Sequence, residues 1–195
     1  MLDRIMGVIT LKAPIYRQIA DDKNDTMNAA IILVVCKLIA GFFGGLVDAQ
    51  TGALSVVGAV VAAIVAVILG LIAWVISAWV LAFVAKALGG KTDTSEMLRV
   101  TGYVEVFSLV GILTVLGLIS PALLCVVGII GFVVGILRLI GYVIGVREAA
   151  EFSTTNAIIT AIIAAIINFL IVVVVGGAVL LAVGGMFGLA AAMGG

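Results

Sequence analysis

The 195 residues are 65% apolar and only 10% charged, with ten basic and ten acidic side chains and no histidine. That composition excludes an ordinary soluble domain, which needs far more charge to cover its surface. A net charge of zero without a basic run gives no reason to expect nucleic acid or strongly anionic lipid as a partner.

The charges cluster, leaving uncharged stretches over 38–47, 51–85, 106–137 and 152–195. A hydrocarbon core of roughly 30 Å takes roughly 20 helical residues, so the longer stretches read as bilayer spans. The expectation is an all-α, polytopic transmembrane bundle of five spans over 26–195, behind a cytoplasmic, interfacial amphipathic segment over 1–25. The 24 glycines suit lipid, where small residues let helix backbones approach closely.

In chain order, Leu2, Ile5, Met6 and Ile9 recur at helical spacing, as do Ile15, Tyr16 and Ile19 after Pro14. Two short amphipathic helices covering the inner mouth of the bundle are predicted, the second with Pro14 near its start. The first span covers 26–47, and 48–52 form a polar outer turn. The second run, 53–88, would be about 54 Å long as one helix, so tilt or an interfacial start is expected. Gly89 and Gly90 close it, and Asp93 with Glu96 resembles a capping pair opening a third span over 95–118. Ser120 and Pro121 make an outer turn before a fourth span, 122–146. The segment 147–154 is read as a loop into a fifth span from Thr155. Gly176 and Gly177 mark a kink or a hairpin into a short sixth segment, but about 16 residues span a bilayer poorly and five spans are preferred.

Arg4, Lys12, Arg17, Lys23, Lys86, Lys91, Arg99, Arg138 and Arg147 all fall toward one side of this threading. The asymmetry places the N-terminus in the cytoplasm and the C-terminus outside. Tyr16, Tyr103 and Tyr142 fall at the same inner ends, as an aromatic belt would.

Two ionisable residues stand within the predicted hydrocarbon. Lys37 lies near the middle of the first span and Glu105 some ten residues into the third. An unpaired Lys at the bilayer centre costs about 2.5–3.5 kcal/mol on insertion scales, so a Lys37–Glu105 ion pair across the two spans is expected. Cys36 and Cys125 sit in apolar runs without metal-like spacing and read as buried hydrophobes. No metal, cofactor or catalytic constellation is expected, because the glycines lie in spans and no nucleophile has a base beside it. Gly41 with Gly45, Gly131 with Gly135, Gly141 with Gly145 and Gly184 with Gly188 have the spacing that permits close helix crossing.

At two loops the chain resembles the Yip family, the Ypt/Rab-interacting membrane proteins, and their prokaryotic Yip-domain branch. Leu88-Gly89-Gly90, followed by Gly102-Tyr103, is similar to the family's Leu-Gly-Gly turn and Gly-Tyr. Gly145-Val146-Arg147-Glu148 and Phe152-Ser153-Thr154 resemble its Gly-Leu-Arg-Glu segment and the Leu-Ser-Thr that begins its last helix. The family's proline after Gly-Tyr is missing, with Glu105 and Phe107 in that neighbourhood, and its Lys before the last helix is replaced near Asn156. The long N-terminus with an Asp-Leu-Tyr-Gly-Pro motif is also missing, which argues against GTPase binding. The resemblance implies a non-enzymatic membrane scaffold that binds other membrane proteins. An accessory subunit of a larger membrane complex is the alternative, and a small transporter or channel using Lys37 and Glu105 is a third. Abundant glycine and alanine with short loops point to a prokaryotic inner membrane.

Overall fold

The structure, a computed structural model, describes residues 1–46, 54–120 and 122–193, and the side chains of these except 118, 172 and 175–193. The expected polar turn at 48–52, and Pro121 of the second outer turn, lie outside the described residues. The described elements are α1 (Leu2–Ile9), α2 (Ala13–Asp21), α3 (Asp25–Gly44), α4 (Val56–Ala87), α5 (Thr94–Val104) continued by a 3-10 segment (Glu105–Leu118), α6 (Leu123–Ala150) and α7 (Thr154–Met193). Five of these helices are long and apolar enough to cross a membrane, with α5 and its continuation forming the third.

The two short helices close one end of the bundle, hereafter the capped end. Leu11 takes a left-handed φ of 55° to turn the chain between them, and Pro14 sits in the first turn of α2, where a missing N–H costs nothing. The α2 stripe is buried, whereas in α1 the expected stripe of Leu2, Met6 and Ile9 is exposed and Val8 makes the inward contact. Val8, Tyr16, Ile19 and Ala20 are fully buried in one core with Tyr103 and Val146.

Glycine decides how closely the spans cross. A Cβ on Gly41 would lie 2.7–2.9 Å from atoms of Ala66, Ala63 and Ala62, so α3 and α4 meet backbone to backbone. A Cβ on Gly102 would sit 2.7 Å from that of Ala29, which brings α5 onto α3. The helix α4 begins at Ser55, whose hydroxyl accepts from the Gly58 N–H at 3.0 Å, and ends in a Schellman turn. There Gly89 adopts φ 86° and the Gly90 N–H donates to the Ala85 carbonyl at 2.8 Å. At 32 residues α4 is about 48 Å long, which exceeds the hydrocarbon core as its apolar length demanded.

Two boundaries differ from expectation, and the alternative of a sixth segment is closed. The fourth helix continues to Ala150, so Arg147 and Glu148 end a helix instead of opening a loop. The continuation follows from Ala149 and Ala150, good helix formers that are fully buried against the core. No hairpin occurs at Gly176–Gly177, because α7 runs through both glycines. The third span is α-helical only as far as Val104, and then winds as a 3-10 helix for 14 residues. Such runs are rare, and the cause is a strict three-residue repeat. Glu105, Ser108, Gly111, Thr114 and Gly117 are separated by pairs of apolar residues. At three residues per turn they eclipse into one straight polar and small stripe. The Ser108 hydroxyl donates to the Glu105 carbonyl and the Thr114 hydroxyl to the Gly111 carbonyl, each at 2.7 Å and three residues back. At about 2.0 Å per residue the segment gains about 7 Å over an α-helix, bringing the third span near the length of α6.

Of the two cysteines expected to be buried, Cys36 is buried, but Cys125, near the start of α6, is exposed.

Candidate functional site

The site forms where three spans place ionisable residues at one depth. Lys37 is twelve residues from the start of α3, Glu105 eleven from the start of α5, and Arg138 twelve from the end of α6. At 1.5 Å per residue each lies about 17 Å from the capped end, close to the middle of a bilayer. The Lys37 Nζ donates to Glu105 Oε2 at 2.9 Å. The Arg138 guanidinium donates to Glu105 Oε1 at 2.5 Å. One carboxylate is therefore held between two cations, with both oxygens engaged.

Burial grades outward across the cluster. Side-chain exposure is 14% for Glu105, 26% for Lys37 and 42% for Arg138. The carboxylate sits inside the bundle and the guanidinium reaches its rim. Nothing in the sequence marks Arg138 as the third member. Counted by distance from Arg147 it reads as an inner-end charge, and only the packing of α6 against the 3-10 segment carries it to Glu105.

A second network ties down the capped end. Arg4 of α1 pairs with Asp22 at 2.9 Å and with Asp25, which is 1% exposed at the start of α3. Asp25 also accepts from the Tyr103 hydroxyl at 3.1 Å and from the Asn28 amide at 2.8 Å. Hydrogen bonding from Arg4 holds the Asp22 carboxyl below its usual range. The Tyr16 hydroxyl donates to the Val8 carbonyl at 3.1 Å, and its burial pushes its own titration upward. In α2, Arg17 pairs with Glu151 at 2.6 Å and donates to the Glu148 carbonyl at 2.9 Å, clasping the α6–α7 turn.

The loop residues singled out by resemblance meet at this same end. The Lys91 N–H donates to the Ala150 carbonyl at 2.9 Å, and a Cβ on Gly90 would lie 3.1 Å from that of Ala150, so the α4–α5 and α6–α7 loops touch. Gly89 supplies the left-handed turn. Gly102 supplies the close approach to α3 and stacks beneath Trp74, whose indole N–H donates to the Thr101 hydroxyl at 3.0 Å. Tyr103 anchors Asp25. Arg147 pairs with Glu148 at 2.6 Å and donates to the Thr154 hydroxyl at 3.3 Å, while the Ser153 hydroxyl accepts from the Asn156 N–H at 3.2 Å to cap α7. Each of these groups shapes a turn or a helix crossing, and none is arranged as a nucleophile with its base.

Five long apolar helices, a core continuous with two short capping helices, and an ionic cluster at mid-depth define an integral membrane protein of the polytopic helical kind. The family model of the Yip1 domain matches residues 6–176. With most of its length inside that match, the chain belongs to the Yip family. Neither a curated protein nor a solved structure matches it.

Proposed function

We propose that the protein is a non-enzymatic scaffold of the Yip type, which binds other membrane proteins through its helices or its capped-end loops. The observation that carries this is the state of Glu105. Its two oxygens are occupied by Lys37 and Arg138, so the carboxylate is a structural clamp and offers no free group for carrying protons or ions. The motif residues of the loops are likewise spent on turns, caps and crossings, which suits a fixed interaction surface. The capped end, with basic residues on α1, α2, the ends of α4 and α6 and the α4–α5 loop, belongs in the cytoplasm, and the end of α7 outside. Short loops and abundant glycine and alanine favour a prokaryotic inner membrane.

Copurification from native membranes in mild detergent, followed by mass spectrometry, tests the scaffold role. A stable, stoichiometric partner of fixed identity supports the accessory-subunit version. A protein that comes out alone and conducts ions in liposomes, with conduction abolished by Glu105→Gln, refutes the scaffold and establishes transport. Labelling of Met1 and Gly195 from opposite sides of the membrane checks the threading. Finding both on one side overturns it.

A further inference from the structure

The charge cluster does not balance. Among the described residues, the middle of the bundle holds two cations, Lys37 and Arg138, against one carboxylate, Glu105. An excess positive charge at that depth is costly and calls for an anion. The excess is most accessible at Arg138, the most exposed of the three, which stands at the rim.

The surface running outward from Arg138 is unusual in a second, independent respect. Gly128, Gly131, Gly135 and Arg138 follow each other at intervals of three, four and three residues, which places them on one face of α6. A Cβ on any of the three glycines would meet nothing within 4 Å. This contrasts with Gly41, Gly102 and Gly141, each of which is used for a close crossing inside the chain. Among the described residues no helix enters the shallow, backbone-lined track that these α6 glycines leave, and the track ends at Arg138, which shares its one carboxylate with Lys37.

We propose that this α6 face docks a transmembrane helix of another protein, one that carries an Asp or Glu level with Arg138. The glycine track admits the partner's backbone closely, and the partner's carboxylate completes a two-cation, two-anion cluster. Charge selects this occupant over the others. A second copy of the chain would bring its own excess positive charge to the same face. A lipid phosphate belongs at headgroup level, whereas Arg138 is about 18 Å from the nearer end of α6. The proposal rests on the scaffold reading and deepens it by naming the docking face and the partner's chemistry.

The full chain in phosphatidylcholine nanodiscs, with a donor dye on the exposed Cys125, provides the test. The probes are two acceptor-labelled Leu/Ala transmembrane peptides that are identical except for a central Glu or Gln. Energy transfer reports binding. The Glu peptide is expected to bind roughly tenfold more tightly than the Gln peptide. Arg138→Leu should bring the two within about twofold of each other, and Arg138→Lys should restore part of the preference. Gly131→Leu and Gly135→Leu should weaken both peptides while leaving thermal stability intact, since each side chain enters open space; these variants test the face even if Arg138→Leu folds poorly. Equal binding of the two peptides to the unaltered chain overturns the proposal, as does a Glu preference that survives Arg138→Leu. Loss of peptide binding when phosphatidylglycerol is added assigns the face to anionic lipid, and efficient Gly135→Cys cross-linking between copies assigns it to self-association; either outcome also overturns it. Failure of the scaffold reading shows elsewhere, as a chain without a partner in native membranes, because the peptide assay needs no native partner.

Discussion

Replacing Glu105 by Gln keeps the size of the side chain and removes the one charge that two cations share. Lys37 and Arg138 would then face each other near the bilayer centre without a counter-ion. At about 2.5–3.5 kcal/mol for each lone cation, the upper limit of the loss is about 5–7 kcal/mol. Arg138 can relieve part of this by reaching toward the interface, because its side chain is already 42% exposed. The expected destabilisation is therefore about 3–5 kcal/mol, the usual cost of stripping one partner from a buried pair. Lys37→Met should behave differently. It leaves Glu105 paired with Arg138 as a neutral couple, so the expected cost is below about 1.5 kcal/mol. The triple replacement Lys37→Met, Glu105→Gln, Arg138→Met should recover most of what Glu105→Gln loses. Thermal unfolding in detergent, followed by tryptophan fluorescence, reads the series, and the single Glu105 variant should fall by roughly 6–20 °C. If Lys37→Met is as harmful as Glu105→Gln, the carboxylate is not shared and the three-membered cluster is refuted.

Three further outcomes follow from the packing. Gly41→Leu should cost about 1–3 kcal/mol or prevent folding, since its Cβ would collide with α4, whereas Gly131→Ala should stay within about 0.5 kcal/mol of the unaltered chain; parallel unfolding curves compare them. Gly89→Ala should destabilise by about 1–2 kcal/mol, because φ 86° is strained for any residue with a Cβ, and the same unfolding assay measures it. The docking of α1 should depend on pH in one direction only. Arg4 depresses the Asp22 pKa in the folded state, so that contribution is present above the ordinary carboxylate pKa and is lost as pH falls through the lower folded value. Protection of the α1 amides, taken as their exchange relative to an unstructured chain at the same pH, should be constant from neutrality down to about pH 4 and fall below it; a loss of protection on the alkaline side contradicts the Arg4–Asp22 linkage.

Several features of the molecule are legible in the linear sequence because they depend on residues adjacent in the chain. The number of spans follows from uninterrupted apolar length, since lipid penalises every exposed polar group. The Asp93–Glu96 capping box and the Gly89–Gly90 stop are local hydrogen-bond geometry, and they form where their residues stand. A period of three over 105–117 was equally present, yet a search for helical period 3.6 passes over it. Winding at three residues per turn takes that repeat as its own register.

Other features needed the third dimension. Gly41 and Gly131 have the same residue type and the same four-residue partner spacing, but one is locked against α4 and the other faces nothing. Only the arrangement of helices around each could separate them. Lys37 and Glu105 are conspicuous in sequence because charge in an apolar run is expensive wherever it lies. Arg138 is just as expensive but sits near other basic residues in the chain, so its role depends on which helix lies opposite. Apolar length and local capping determined where the helices are and how far they reach. Which charges neutralise one another, and which face of α6 is left open, was decided by tertiary packing, because Coulomb attraction and close contact act between residues 33 and 68 positions apart.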